Sequence, residues 1–125
     1  MNIKATIGRI RRWTVAAFGT ECYTNTQERA ARVFEEAAEL LQAEELDREF
    51  AQRVLDRVYS RPVGDPVQEM AGVSFTLLAY SGAKGLDLEK VLVAELERVE
   101  AVPLEHFQAK HRAKRLAGTS VAGDE

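Results

Sequence analysis

The sequence predicts an all-α protein, and three observations carry that prediction. Apolar residues recur three and four apart through the chain, as in Ile3, Ile7 and Ile10 or Phe50, Val54 and Val58, the spacing that gathers side chains on one face of a helix. Capping and breaking residues separate these stretches. No segment shows the apolar/polar alternation of a half-buried strand, and there is no internal repeat or low-complexity tract.

Residues 3–18 form a first helix with Ile3, Ile7, Ile10, Val15 and Phe18 on its apolar side, and Trp13 and Thr14 near its end. Gly19 to Thr26 reads as a polar turn in which Asn25 or Thr26 caps the next helix, and that second helix runs to about Glu45. Asp47 caps a third, about 48–60, striped by Phe50, Val54, Leu55 and Val58. Ser60-Arg61-Pro62-Val63-Gly64-Asp65-Pro66 then breaks the helix, because proline disfavours helical geometry in the residue before it and Gly64 frees the turn. Asp65, Pro66 and Gln68 read as N-cap, first helical proline and capping-box partner, so the fourth helix starts at Pro66 and ends around Gly82 to Gly85. Asp87 caps a fifth helix to about Ala101, and Pro103 opens a sixth to about Leu116. These five to six helices form one domain over 1–117, and the small polar stretch 118–125 reads as a disordered tail.

Composition excludes several classes. A length of 125 residues gives one domain with a modest core. The net charge of -3 supplies no basic field for nucleic acid. Lys110, Arg112, Lys114 and Arg115 sit on one short helix without interleaved aromatics, which reads as a solvated face favoured by the helix C-terminus. The longest weakly charged run, Pro66 to Ala83, holds a glutamate, polar residues and two glycines and is no membrane span. No export signal is evident at the N-terminus. Cys22 is the one cysteine, so no internal disulfide forms; it reads as structural, and a reducing, cytoplasmic compartment fits. His106 and His111, five apart, do not share a helical face, which argues against zinc.

One stretch concentrates chemistry. Glu35, Glu36 and Glu39 fall within an arc of ~100° on a helix whose other side gathers Ala30, Val33, Phe34, Ala37, Leu40 and Leu41. Like charges at this spacing repel by a few tenths of a kcal/mol per pair, and Arg29 and Arg32 are the nearby cations able to offset that. The arc is either a solvated face or a site for a divalent metal, since clustered carboxylates are what hard cations prefer. The fourth helix adds a second clue. Between Pro66 and Ala83, Glu69 is its one charged residue, among Val67, Met70, Val73, Phe75, Leu77 and Leu78. A helix this apolar all round is buried by its own domain or by another subunit. Glu69 is then either an exposed acid welcomed by the helix dipole or a compensated one. Gly72, Thr76 and Tyr80 on the same face present small and polar groups suited to a ligand.

Together these residues resemble the MazG-like all-α nucleoside triphosphate pyrophosphatases, whose pattern is an E-E-x-x-E helix, a spacer of a few tens of residues and an E-x-x-D helix. The first half is Glu35-Glu36-Ala37-Ala38-Glu39, the spacer Leu40 to Gln68, and the second half Glu69-Met70-Ala71-Gly72. Gly85 to Glu89 is similar to the family's turn into its next helix. The likeness spans roughly residues 28–100. It implies a helical bundle assembled as a dimer or tetramer, and hydrolysis of a (d)NTP to (d)NMP and pyrophosphate with Mg²⁺ or Mn²⁺. Glu36, Glu39 and Glu69 are then metal ligands, and Glu35 a ligand to a second metal or the base that orients water. Glycine stands at position 72 where the family has aspartate, so a further water or another acid, Asp56 or Asp65, would complete the metal's shell. Length and the missing aspartate point to the phage MazZ-type branch, which acts on (d)GTP and feeds 2-aminoadenine nucleotide synthesis in the host cytoplasm.

For phosphate, Arg61 and Lys84 flank the fourth helix, with solvated charge as the alternative. For the base, Trp13, Phe18, Tyr23 and Asn25 precede the glutamate helix, with core and capping roles as the alternative. A competing function is a non-catalytic helical module that binds a partner through the apolar 66–83 helix.

Overall fold

The computed structural model describes residues 1–121. These form seven α-helices and no strand: α1 (Ile3–Phe18), α2 (Thr20–Thr24), α3 (Thr26–Ala43), α4 (Arg48–Tyr59), α5 (Pro66–Lys84), α6 (Leu88–Ala101) and α7 (Leu104–Leu116). The protein is all-α. Among the described residues no helix is long and apolar enough to cross a membrane.

The local rules account for most boundaries. Asn2 caps α1 by accepting from the Ala5 amide at 3.1 Å, and Asp47 caps α4 through Phe50 N–H at 2.9 Å. Asp65 caps α5 by accepting from both Val67 and Gln68 amides at 3.1 Å, with Pro66 in the first turn. Gly85, at φ 68°, closes α5 with its amide bonded to the Gly82 carbonyl, a left-handed termination that glycine adopts without strain. The main departure is α2. The stretch expected as a polar turn holds a short helix, because Gly19 at φ 92° and ψ 163° halts α1 and lets the chain restart in a new direction. The glutamate helix also stops slightly earlier than expected, at Ala43, with Glu45 in the left-handed region at φ 65°.

The chain comprises two compact units, one of Met1–Glu39 with Glu95–Glu125 and one of Leu40–Ala94. In the first, α7 packs on α1. Trp13 meets Phe107 edge-on at 4.9 Å and Phe18 at 5.8 Å, and Phe18 lies 5.1 Å from His111. Ala17, Cys22 and Leu96 are buried beside Thr14 and His111. Gln108 Nε2 donates to the Ala17 carbonyl at 2.9 Å, and Arg9 forks onto Glu100 at 2.7 and 2.5 Å. Cys22 is 2% exposed, and burial pushes its thiol pKa up, in keeping with a structural role. Four residues of the expected tail, 118–121, are described, and Thr119, Ser120 and Val121 bond to Arg32 or Glu28; 122–125 lie outside the described residues.

The second unit is assembled differently. Ser81 is its buried residue, its hydroxyl donating to the Leu86 carbonyl at 2.7 Å. Tyr80 donates to Glu44 at 2.6 Å and Lys84 lies 3.1 Å from the same carboxylate. Along α5, Val67, Met70, Val73, Phe75, Leu77 and Leu78 are all exposed, Phe75 at 76%. Among the described residues none buries these side chains, an apolar face of the kind that marks interaction surfaces.

Candidate functional site

The glutamates stand on α3 because Asn25 starts that helix. Its Oδ1 accepts from the Glu28 amide at 3.0 Å, and its carbonyl accepts from Arg29. Asn25 thus plays the capping role, with its side-chain oxygen accepting from the first turn of the helix.

The three glutamates have different surroundings. Glu35 is half-buried between two cations, Lys114 Nζ at 3.0 Å and Arg32 Nη1 at 3.7 Å. Glu36 and Glu39, one turn apart, are exposed and make no ion pair among the described residues. Glu36 lines a cleft of about 220 Å³ that lies within the first unit. Trp13, Phe18, Phe107 and His111 form its aromatic side. Arg29, Arg32, Arg98, Lys110 and Lys114 supply cations, against the carboxylates of Glu28, Glu36 and Glu95. Arg98 is already committed: it forks onto Glu95 at 2.8 and 2.7 Å, and those bonds hold the Glu95 carboxyl below its ordinary range.

The other residues singled out by the sequence each have their own surroundings. Tyr23 sits under the Arg11 guanidinium, 5.8 Å from ring to Cζ. Glu69 belongs to the second unit, where its carboxylate lies over Gly64, close enough that a Cβ there would meet Oε1 at 2.7 Å. Arg61 is exposed in the turn before α5, and the Lys84 ammonium is held by Glu44. Thr76 returns its hydroxyl to the Gly72 carbonyl at 3.0 Å. Of the acids that could replace the missing aspartate, Asp65 is used as the α5 cap and Asp56 accepts from Gln52 at 2.9 Å. Among the described residues no three His, Cys, Asp or Glu side chains converge on a common point. Glu36 and Glu39 are two carboxylates at i,i+3 with no ion pair among the described residues, the donor type a hard cation takes.

The sequence missed the residues that join these parts. Glu28 is fully buried, and nothing in its spacing singles it out. By spacing alone Arg29 and Arg32 do no more than offset repulsion among the glutamates, and Lys110 and Lys114 no more than decorate a solvated face. Their common position in the cleft depends on contacts between α3 and α7, some eighty residues apart, that no local pattern encodes. No protein-family model matches the chain, and neither does any curated protein or solved structure.

Proposed function

We propose that the protein is a metal-dependent nucleotide diphosphohydrolase that converts a (d)NTP and water to (d)NMP and pyrophosphate. One observation carries the reading: an uncommitted carboxylate, Glu36, opens onto the same cleft as Trp13, Phe18 and Phe107 and a set of arginines and lysines. Planar apolar walls suit a nucleobase, cations suit phosphate, and free carboxylates suit Mg²⁺ or Mn²⁺.

Glu36 and Glu39 would hold the ion, and the resemblance to the MazG-like enzymes adds Glu69 to that set. Such an ion, when bound, polarises the phosphoryl oxygens and lowers the pKa of water. Glu35, fixed by Lys114 and Arg32, is a carboxylate of set orientation, suited to align the water that attacks the α-phosphorus while the bond to the β-phosphate breaks. Its proton goes to a carboxylate and pyrophosphate departs. Preference for (d)GTP, and a place in 2-aminoadenine nucleotide supply in a phage-infected host cytoplasm, rest on the likeness to the MazZ-type branch. The exposed apolar α5 supports assembly of two or four copies, each covering the other's helix.

The same helix favours a second reading, a non-catalytic module that binds a different protein through α5. Pyrophosphate release from a panel of (d)NTPs with Mg²⁺ or Mn²⁺, wild type against Glu39→Gln, separates the two. Release that depends on metal and on Glu39 supports the hydrolase. Absence of release from every nucleotide removes it and leaves the binding module.

A further inference from the structure

We infer that Arg32 grips the phosphoryl oxygens of the cleft's ligand, and that buried Glu28, together with the chain's last described residues, is the brace that positions it. This assignment rests on the nucleotide reading above and names the residues that reading lacks for phosphate.

Arg32 has unmet capacity. Its Nη2 donates to the Thr119 carbonyl, but its Nε and Nη1 are buried and make no hydrogen bond among the described residues. The nearest carboxylate oxygens, Glu28 Oε2 at 3.4 Å from Nε and Glu35 Oε1 at 3.7 Å from Nη1, hold the guanidinium by charge without meeting those donors. Arg29 Nε is in the same condition. Buried donors cost free energy until an acceptor arrives, and a guanidinium fork matches phosphate oxygens two at a time. Both arginines line the cleft, and Lys110, with no hydrogen bond or ion pair among the described residues, lines it too. At about 220 Å³ the cleft is below the roughly 300–1,000 Å³ that encloses a whole drug-sized ligand. It takes a planar ring and adjoining phosphoryl oxygens, with the remainder outside.

The brace is a contact across nearly the full chain. Glu28 is 0% exposed. Its Oε1 accepts from the Val121 amide at 2.7 Å and the Ser120 hydroxyl at 3.1 Å, while Oε2 faces Arg32 and, at 3.7 Å, Arg29. Thr119 is anchored in turn by its amide and hydroxyl on the Lys114 carbonyl, at 2.8 and 3.1 Å. One carboxylate thus fixes the chain end with one oxygen and the arginine pair with the other. Arg32 is then tied on two sides, by Glu28 and by the Thr119 carbonyl, leaving Nη1 and its unmet hydrogens for the ligand.

Inorganic pyrophosphate titrated into the full chain tests this, followed by calorimetry and by fluorescence of Trp13, the one tryptophan, which lines the cleft. Arg32→Lys keeps the charge and loses the fork, Glu28→Gln removes the brace's charge, and Val121→Pro deletes one brace donor while leaving Glu28 and Arg32 intact. Each is expected to weaken pyrophosphate binding about tenfold and to raise KM for the hydrolysed nucleotide, with kcat retained in Val121→Pro, which leaves the Lys114 and Arg32 contacts of Glu35 in place. If Glu28→Gln fails to fold, the other two variants decide. Wild-type affinity in Val121→Pro and Arg32→Lys, or no pyrophosphate binding by the wild type, overturns the inference. Hydrolysis by the wild type with affinity unmoved in the variants sinks it and spares the hydrolase. Arg32-dependent pyrophosphate binding without hydrolysis of any nucleotide supports the grip and sinks the hydrolase.

Discussion

Replacing Glu39 by glutamine separates a solvated glutamate face from a metal site by the sign and size of a melting shift. Glu39 lies at i+4 from Glu35 and i+3 from Glu36. Lys114 and Arg32 already neutralise Glu35, so the repulsion left to relieve is that with Glu36, roughly 0.3 kcal/mol. For a chain of this length that is a rise in Tm of about 1 °C without metal. With Mn²⁺ at a hundredfold excess over its Kd, a wild-type site gains about 2.7 kcal/mol, a rise of about 10 °C on the same scale. Loss of one carboxylate should remove half of that or more, together with pyrophosphate release. The assay is calorimetric melting at one fixed protein concentration, with and without Mn²⁺. An Mn²⁺ response of equal size in wild type and Glu39→Gln would refute the assignment of Glu39 as a ligand.

Four further outcomes follow from particular contacts. Asn25→Ala deletes the α3 cap and should cost about 1 kcal/mol, read as a lower urea midpoint at unchanged m. Tyr80→Phe tests the Glu44 cluster. The Tyr80 hydrogen bond first, and Lys84 second, depress the folded Glu44 pKa, so the stabilisation is full above the unfolded carboxylate pKa and is lost as pH falls through the lower folded value. The variant should return the Glu44 pKa toward its ordinary range by carboxyl NMR and flatten the acid limb of the stability curve. A Cβ at Gly72 would meet nothing within 4 Å, so Gly72→Asp should be accommodated and, by supplying the carboxylate that the proposed metal site lacks at this position, tighten Mn²⁺ binding about tenfold by titration. Phe75→Glu places a charge on the exposed face of α5 and should reduce the sedimenting species to a single chain; an unchanged species removes α5 from the assembly contact.

The helices were legible because their determinants are local. Asp47, Asp65 and Gly85 do at their termini what residues of those types do in any chain, and the 60–66 breaker needs only Pro62, Gly64 and Pro66. The exception, α2, hinges on the backbone angles of Gly19, and glycine's permissiveness leaves those open. The candidate site was legible in part: Glu35, Glu36, Glu39 and Trp13 carry chemical types that stand out at their spacing. That Glu35 would be taken by Lys114, and Glu28 by Val121 and Ser120, depends on α7 and the chain end folding back over more than seventy residues of sequence. Such contacts are tertiary, and the same lysine spacing would suit a fully solvated face equally well.

The uncovered α5 has a consequence for how the protein must be handled and made. Val67, Phe75 and Leu78 stand in water on the single chain; under the proposed assembly the final maturation step would be bimolecular and would slow with dilution. Ribosome-side crowding of sibling chains favours that encounter, whereas refolding from denaturant at low concentration leaves the helix to chaperones or to precipitation.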